Sequence, residues 1–250
     1  MTMYRNSDLE SGYYAPMDSS SPVQISGISS TSIRNGFIKK VYSILTAQLL
    51  VTTLIASPFV LMESSKIQPF IYNNAWLMWL SLGISFMTMM SFACFPQLMR
   101  QVPINYLLLS LFTITEGVCV GVISSTYTTG SVLLAFGIVT VVTFTLTVFA
   151  TTTNLDFTKA WPYLLAFSVV MMLGGLVLMF IPSYVGVMIY SGLGAILFSV
   201  YLVFDTQMII GGKHDMEFSI DDYVPAAISL YIDIVQLFIY FLSLFGERRD

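Results

Sequence analysis

The chain has 250 residues, 56% of them hydrophobic and 10% charged, with a mean hydropathy of +0.80. A soluble domain of this size would have to expose that apolar surface to water, so lipid is expected to be the solvent for most of the chain. A net charge of −4 with no basic stripe and no basic–aromatic interleaving excludes nucleic acid as a partner.

Residues 1–36 are rich in Ser, Tyr, Pro and Gly and contain no apolar run. This composition predicts a disordered tail, not a cleavable signal peptide. Tyr13 and Tyr14 read either as a docking motif or as part of a solvated tail. Residues 37–250 then read as one membrane domain without internal repeat. Apolar segments of spanning length run over Val41–Met62, Ala75–Phe95, Ile104–Tyr127, Val132–Thr152, Ala160–Ile181, Tyr184–Ile210 and Val224–Phe245. Each meets the need for ~20 mostly apolar residues. Pro96 and Pro103 bracket the second connection, Pro162 falls in the first turn of the fifth span and Pro182 closes it. Ser219-x-x-Asp222 has capping-box spacing ahead of the last span. Cys94 and Cys119 lie in different spans without metal-ligand spacing, so neither a disulfide nor a metal centre is expected.

Arg5, Arg34, Lys39, Lys40, Arg100, Lys159 and Lys213 all fall on one side of the spans, and only Lys66 on the other. The excess of basic residues places the N-terminus in the cytosol. Seven full crossings would put Arg248 and Arg249 on the opposite side, against the rule, whereas a re-entrant last segment would return them. The sequence leaves both open.

Three acids lie well inside the spans: Glu116 in the third, Asp205 in the sixth and Asp233 in the seventh, with no Lys or Arg in any span to pair them. An Asp at a helix centre costs ~2.5–3.5 kcal/mol on the insertion scale, so these acids must be protonated, share a proton, bind a cation or face water. Asp205 lies ~8 Å and Asp233 ~14 Å from the same membrane face at ~1.5 Å per residue, so antiparallel neighbours bring them together. Two such carboxyls in low dielectric titrate as a unit and can serve as a pH switch between the two helices. Arg100 is the basic candidate to join them, or else a lipid anchor.

Ser229, Asp233, Gln236, Tyr240 and Ser243 recur at steps of four and three and share one helix face. That face either lines a cavity at the centre of the bundle or bonds to neighbouring helices. Glu116 is followed by Gly117 and Gly121, a spacing that admits a second helix closely beside it, and its own carboxyl reads as part of a cation pathway or of packing. The loop from Gly211 to Tyr223 is acidic, which suits either a cation-concentrating mouth or plain solvation. Its His214 reads as a pH sensor or as an ordinary loop residue.

The stretches FIKKVYSILTAQLLVTT (37–53), TNLDFT (153–158), FDTQMIIGG (204–212) and DDYVPAAISLYIDIVQLF (221–238) resemble the transmembrane Bax-inhibitor-motif family, in its Lifeguard or glutamate-receptor-associated branch. The resemblance runs from about residue 34 to the C-terminus. It implies an all-α, polytopic bundle of seven helices with the C-terminal helix central. It also implies pH-sensitive calcium leak across internal membranes (endoplasmic reticulum, Golgi or vacuole) and suppression of cell death. Its paired aspartates match Asp205 and Asp233, a proton-sensitive latch; its latch-engaging basic residue matches Arg100; its third-helix acid matches Glu116. The tail here is short where several branch members carry long Pro- and Gly-rich tails, which puts tail-dependent partners in doubt.

The functional expectation is thus a pH-gated leak for Ca2+, an ion suited to hard oxygen ligands. Asp205 and Asp233 are its gate and weak metal ligands, with Arg100 at the gate, and Glu116, Ser229, Gln236 and Tyr240 line the ion path. The alternative is a non-conducting regulator that binds other membrane proteins of cell-death control. A third reading, an intramembrane aspartyl protease, has the two aspartates but no glycine ahead of Asp233 to admit a substrate strand. No enzyme and no cofactor are expected; Ca2+ is cargo.

Overall fold

The computed structural model describes residues 21–212 and 214–249, with side chains from residue 31 onward. Tyr13, Tyr14, Arg5 and Lys213 lie outside the described residues. The elements are α1 (Ser21–Leu61), α2 (Ser64–Asn73), α3 (Ala75–Cys94), α4 (Ile104–Ser125), α5 (Thr129–Thr152), α6 (Trp161–Phe180), α7 (Tyr184–Ile210) and α8 (Tyr223–Phe245). Short 3-10 turns at Pro96–Met99 and Phe157–Ala160 precede α4 and α6.

Seven of the eight helices are long and apolar enough to cross a membrane. Their boundaries match the apolar segments closely, because composition sets them, except at the start of the first, where the helix begins well before Val41. The eighth, α2, is short, carries Pro69 and lacks the apolar length that signals a span, so the sequence reading passed over it. A larger correction concerns the N-terminal region. Residues 21–36 are helical as the start of α1, where a disordered tail was expected over residues 1–36; residues 1–20 lie outside the described residues. The Ser21-Pro22 pair suits a helix start. Further on, Arg34 and Phe37 are both held, Arg34 on backbone carbonyls of the α7 end and Phe37 in the core with 3% exposure.

The outward surfaces of α3, α5 and α6 carry exposed Trp79, Phe86, Phe144, Val170 and Met179, as lipid-facing helices require. The most continuous burial lies along α8, where Val224, Ala226, Ala227, Leu230, Tyr231, Leu237 and Leu242 are essentially inaccessible. α8 packs against α1, α4, α5 and α7, while α3 packs chiefly on α4 and α6 on α7. Gly117 and Gly121 of α4 admit α1 as the small-residue spacing predicts: the first lies against Ile55, the second against Ala56 and Phe59.

α8 runs the full length of the bundle. Its first residue, Tyr223, accepts a bond from Asn105 Nδ2 at 3.0 Å and lies 3.2 Å beneath Lys40 Nζ, at the end that carries Arg34 and Arg100. Beyond its last turn, Arg249 donates to the carbonyls of Met62 and Val60 and to Thr129 Oγ1, at the other end. The Glu247 carbonyl and the Arg249 amide pair with the Thr128 amide and the Thr126 carbonyl. The last segment is a crossing and not a re-entrant hairpin.

Candidate functional site

Asp205 and Asp233 meet across the α7–α8 seam, close enough for one carboxyl to bond the other through a shared proton. Asp205 is 8% and Asp233 3% exposed. Asp233 Oδ2 is buried without a hydrogen-bond partner, and among the described residues neither carboxyl has an ion pair with Lys or Arg. Leaving such an acceptor bare costs about 1–3 kcal/mol, so the place is chemically suited to a proton or a passing cation. No group of three or more His, Cys, Asp or Glu gathers into a metal site among the described residues. Two carboxyls fall short of the ~6–8 oxygens that hold Ca2+ firmly.

Tyr240 and Ser243 of the polar stripe on α8 also face α7. The Tyr240 ring lies 6.0 Å from that of Tyr190 and 5.8 Å from that of Phe198, over Gly194, where a Cβ would overlap it. Ser243 Oγ accepts from Ser191 Oγ at 2.9 Å. Ser229 and Gln236 are half-buried on the same face. Between Asp233 and the far end, this seam is therefore filled by aromatic packing.

Arg100 does not reach the pair. It forms a two-point bond with Asp222, Nε to Oδ1 at 2.7 Å and Nη2 to Oδ2 at 3.0 Å, and the hydrogen bond and charge of Asp222 hold its guanidinium above the ordinary arginine range. Asp222 precedes the first residue of α8, ~16 Å of helix rise from Asp233 at ~1.5 Å per residue. The expected capping box is also not made: Asp222 makes no side-chain cap, and Ser219 and Asp222 close a single backbone turn. The carboxylate that would have capped the helix is taken by Arg100.

Glu116 is half-buried on α4 beside Ser85 of α3, whose hydroxyl bonds Thr115 Oγ1 at 2.7 Å. It sits on the side of α8 away from the carboxyl pair. There Tyr231, two residues before Asp233, bonds Thr52 Oγ1 at 2.7 Å and stacks edge-on to Phe112. Gln48 Nε2 bonds Thr113 Oγ1 beside it, also between α1 and α4. The structure thus splits the three membrane acids into a pair and a separate residue.

Several residues that hold the site escaped the sequence reading. Gln207, next but one to Asp205 and fully buried, donates to the Leu155 carbonyl at 2.9 Å and accepts from the Phe157 amide at 2.8 Å. It ties the TNLDFT loop to the end of α7, joining two motifs that the sequence displays only as separate stretches. Asp156 of that loop accepts from the Thr158 amide and hydroxyl and from the Asp215 amide, and lies 3.4 Å from His214 Nδ1. Arg34, visible in sequence only as one more basic residue, donates to the Met208 and Ile210 carbonyls at the α7 terminus and to the Phe218 carbonyl of the loop after it.

An all-α, seven-span membrane protein with a buried carboxyl pair between its last two helices is the class that fold and site define. The sequence profile described as "Inhibitor of apoptosis-promoting Bax1" matches residues 34–250. Protein lifeguard 3 of Homo sapiens is 35% identical over 222 residues, covering 87% of this chain and 70% of the relative. Protein LIFEGUARD 4 of Arabidopsis thaliana is 35% identical over 247 residues, covering 97% and 96%. The chain belongs to the Bax-inhibitor family of membrane proteins, with Lifeguard proteins among its relatives.

Proposed function

We propose that this protein is a pH-sensitive cation leak of internal membranes, passing Ca2+ and thereby contributing to calcium homeostasis and suppression of cell death. The basic end of the bundle faces the cytosol in this reading. The observation that carries it is the Asp205–Asp233 pair, buried, in mutual reach and without a basic partner among the described residues. A shared proton bonds α7 to α8. A change in the charge of the pair removes that bond and leaves either like charges in contact or an opening for a cation. Few oxygen ligands favour passage over storage.

The test is Ca2+ flux from proteoliposomes over about pH 5 to about pH 8, an interval that includes physiological pH. Wild-type flux should change with pH, and Asp205→Asn and Asp233→Asn should each abolish that dependence. Folded, inserted wild type that passes no Ca2+ at any pH ends this reading.

A second reading is favoured by the aromatic closure of the seam by Tyr240, Tyr190 and Phe198. Here the protein conducts nothing, and the pair tunes a conformation that other membrane proteins of cell-death control recognise. The same Asn variants would then alter a co-purifying membrane partner while flux stays absent.

A further inference from the structure

The end of α7 is closed by a residue of α1. Arg34 Nη2 donates to the Met208 carbonyl at 2.7 Å, its Nε to Ile210 at 3.1 Å and its Nη1 to Phe218 at 2.7 Å. Its Nη2 lies 3.8 Å from Glu217 Oε2, and its guanidinium sits 5.0 Å from the Phe37 ring centroid. The last carbonyls of a helix have no partners within it, and a cation there also complements the helix dipole. A guanidinium spreads five donors over a rigid planar fork and so spans well-separated carbonyls, whereas the three donors of an ammonium radiate from a single nitrogen.

The backbone around it is built for this contact. Gly211 and Gly212 have φ of +64° and +79°, a left-handed turn that glycine permits, and it sends the chain back so that the Phe218 amide bonds the Met208 carbonyl at 3.0 Å. A Cβ on Gly211 would overlap Glu217 and the Arg34 guanidinium. Asp205 stands only five residues from the helix end that Arg34 grips, ~8 Å of rise at ~1.5 Å per residue.

We propose that Arg34 is the positioning residue of the carboxyl pair. By fixing the last turn of α7 to α1, it sets the height and rotation of Asp205 against Asp233, so that displacement of the cytosol-facing part of α1 is transmitted to the latch. The inference rests on the latch reading above for its functional consequence and adds how the latch is regulated. The groups facing this end of α7 are Arg34 and Tyr42 from α1, Asp233 from α8, and Asp156, Lys159, His214, Asp215 and Glu217 from the connections. Of these only Arg34 bonds the backbone of the final α7 turn.

Two measurements on full-length protein separate the outcomes. The first is infrared titration of the pair's carboxyl band, assigned by its loss in Asp205→Asn. The second is amide exchange over residues 208–218. Arg34→Gln should speed that exchange about tenfold or more, and move the titration midpoint of the pair by about one pH unit or more. Arg34→Lys, which keeps the charge but not the fork, should do both to a smaller extent, and decides the matter if Arg34→Gln does not fold. Faster exchange with an unmoved midpoint would reduce Arg34 to a structural cap and overturn the proposal, as would no change in either. A shifted midpoint in a protein that passes no Ca2+ would sustain the role of Arg34 while removing the leak.

Discussion

At the scale of single residues, Asp156 shows how one carboxylate can hold two connections together. Burial pushes its carboxyl up, but the hydrogen bonds from the Thr158 hydroxyl and the Asp215 and Thr158 amides, with His214 nearby, outweigh this and hold it below the usual carboxylate range. A carboxyl with a lowered folded value stabilises the protein fully above its unfolded value, near ~3.9, and loses that contribution as pH falls through the folded one. Asp156→Asn should therefore lower the thermal midpoint in detergent at neutral pH, and the difference from wild type should shrink below about pH 4. A gap that is the same at both pH values would show that the charge of Asp156 is not what holds the loops. The contact with Asp215 was not legible in sequence, because 59 residues separate the two groups.

At the scale of helices, close approach is decided by what lies opposite a glycine. A Cβ on Gly121 would stand 2.8 Å from Phe59 Cδ2 and 3.1 Å from the Ala56 Cα, whereas one on Gly137 of α5 would meet nothing within 4 Å. Gly121→Ala should cost about 1–3 kcal/mol through overpacking of α1 against α4. Gly137→Ala should be neutral or slightly stabilising, because alanine favours helix by about 1 kcal/mol. Thermal unfolding of the two variants side by side checks this, and equal midpoints would contradict the α1–α4 contact. The sequence showed that Gly117 and Gly121 admit a helix. It did not show which helix, since small-residue spacing describes one face and not its partner.

At the scale of the whole molecule, seven crossings separate the termini. Arg249 is fastened to Val60, Met62 and Thr129, at the end opposite the Arg34 and Arg100 contacts. In microsomes, a glycosylation acceptor fused after Asp250 should be modified and one fused before Met1 should not, given a basic end in the cytosol. Modification of both or of neither would require the re-entrant arrangement that the α8 contacts oppose. The mild conflict of Arg248 and Arg249 with the basic-residue bias has a local cause for Arg249. Its guanidinium is occupied by two backbone carbonyls and a threonine hydroxyl, at the end opposite Arg34 and Arg100.

The number of the spans, most of their borders, the glycine face of α4, the stripe on α8 and the presence of unpaired acids were determined by sequence alone. Each depends on composition or on a period of 3.6 residues, which are local properties. The meeting of Asp205 with Asp233 was expected from their depths; the tertiary structure decided the other pairings. It left Glu116 apart, turned Arg100 to Asp222 and brought Arg34 onto the α7 terminus. Arg34 and Arg100 look alike in sequence as basic residues at the edge of a span. Their partners differ because the fold carries a bare helix end to one and a free carboxylate to the other, across separations of 174 and 122 residues that no local pattern encodes.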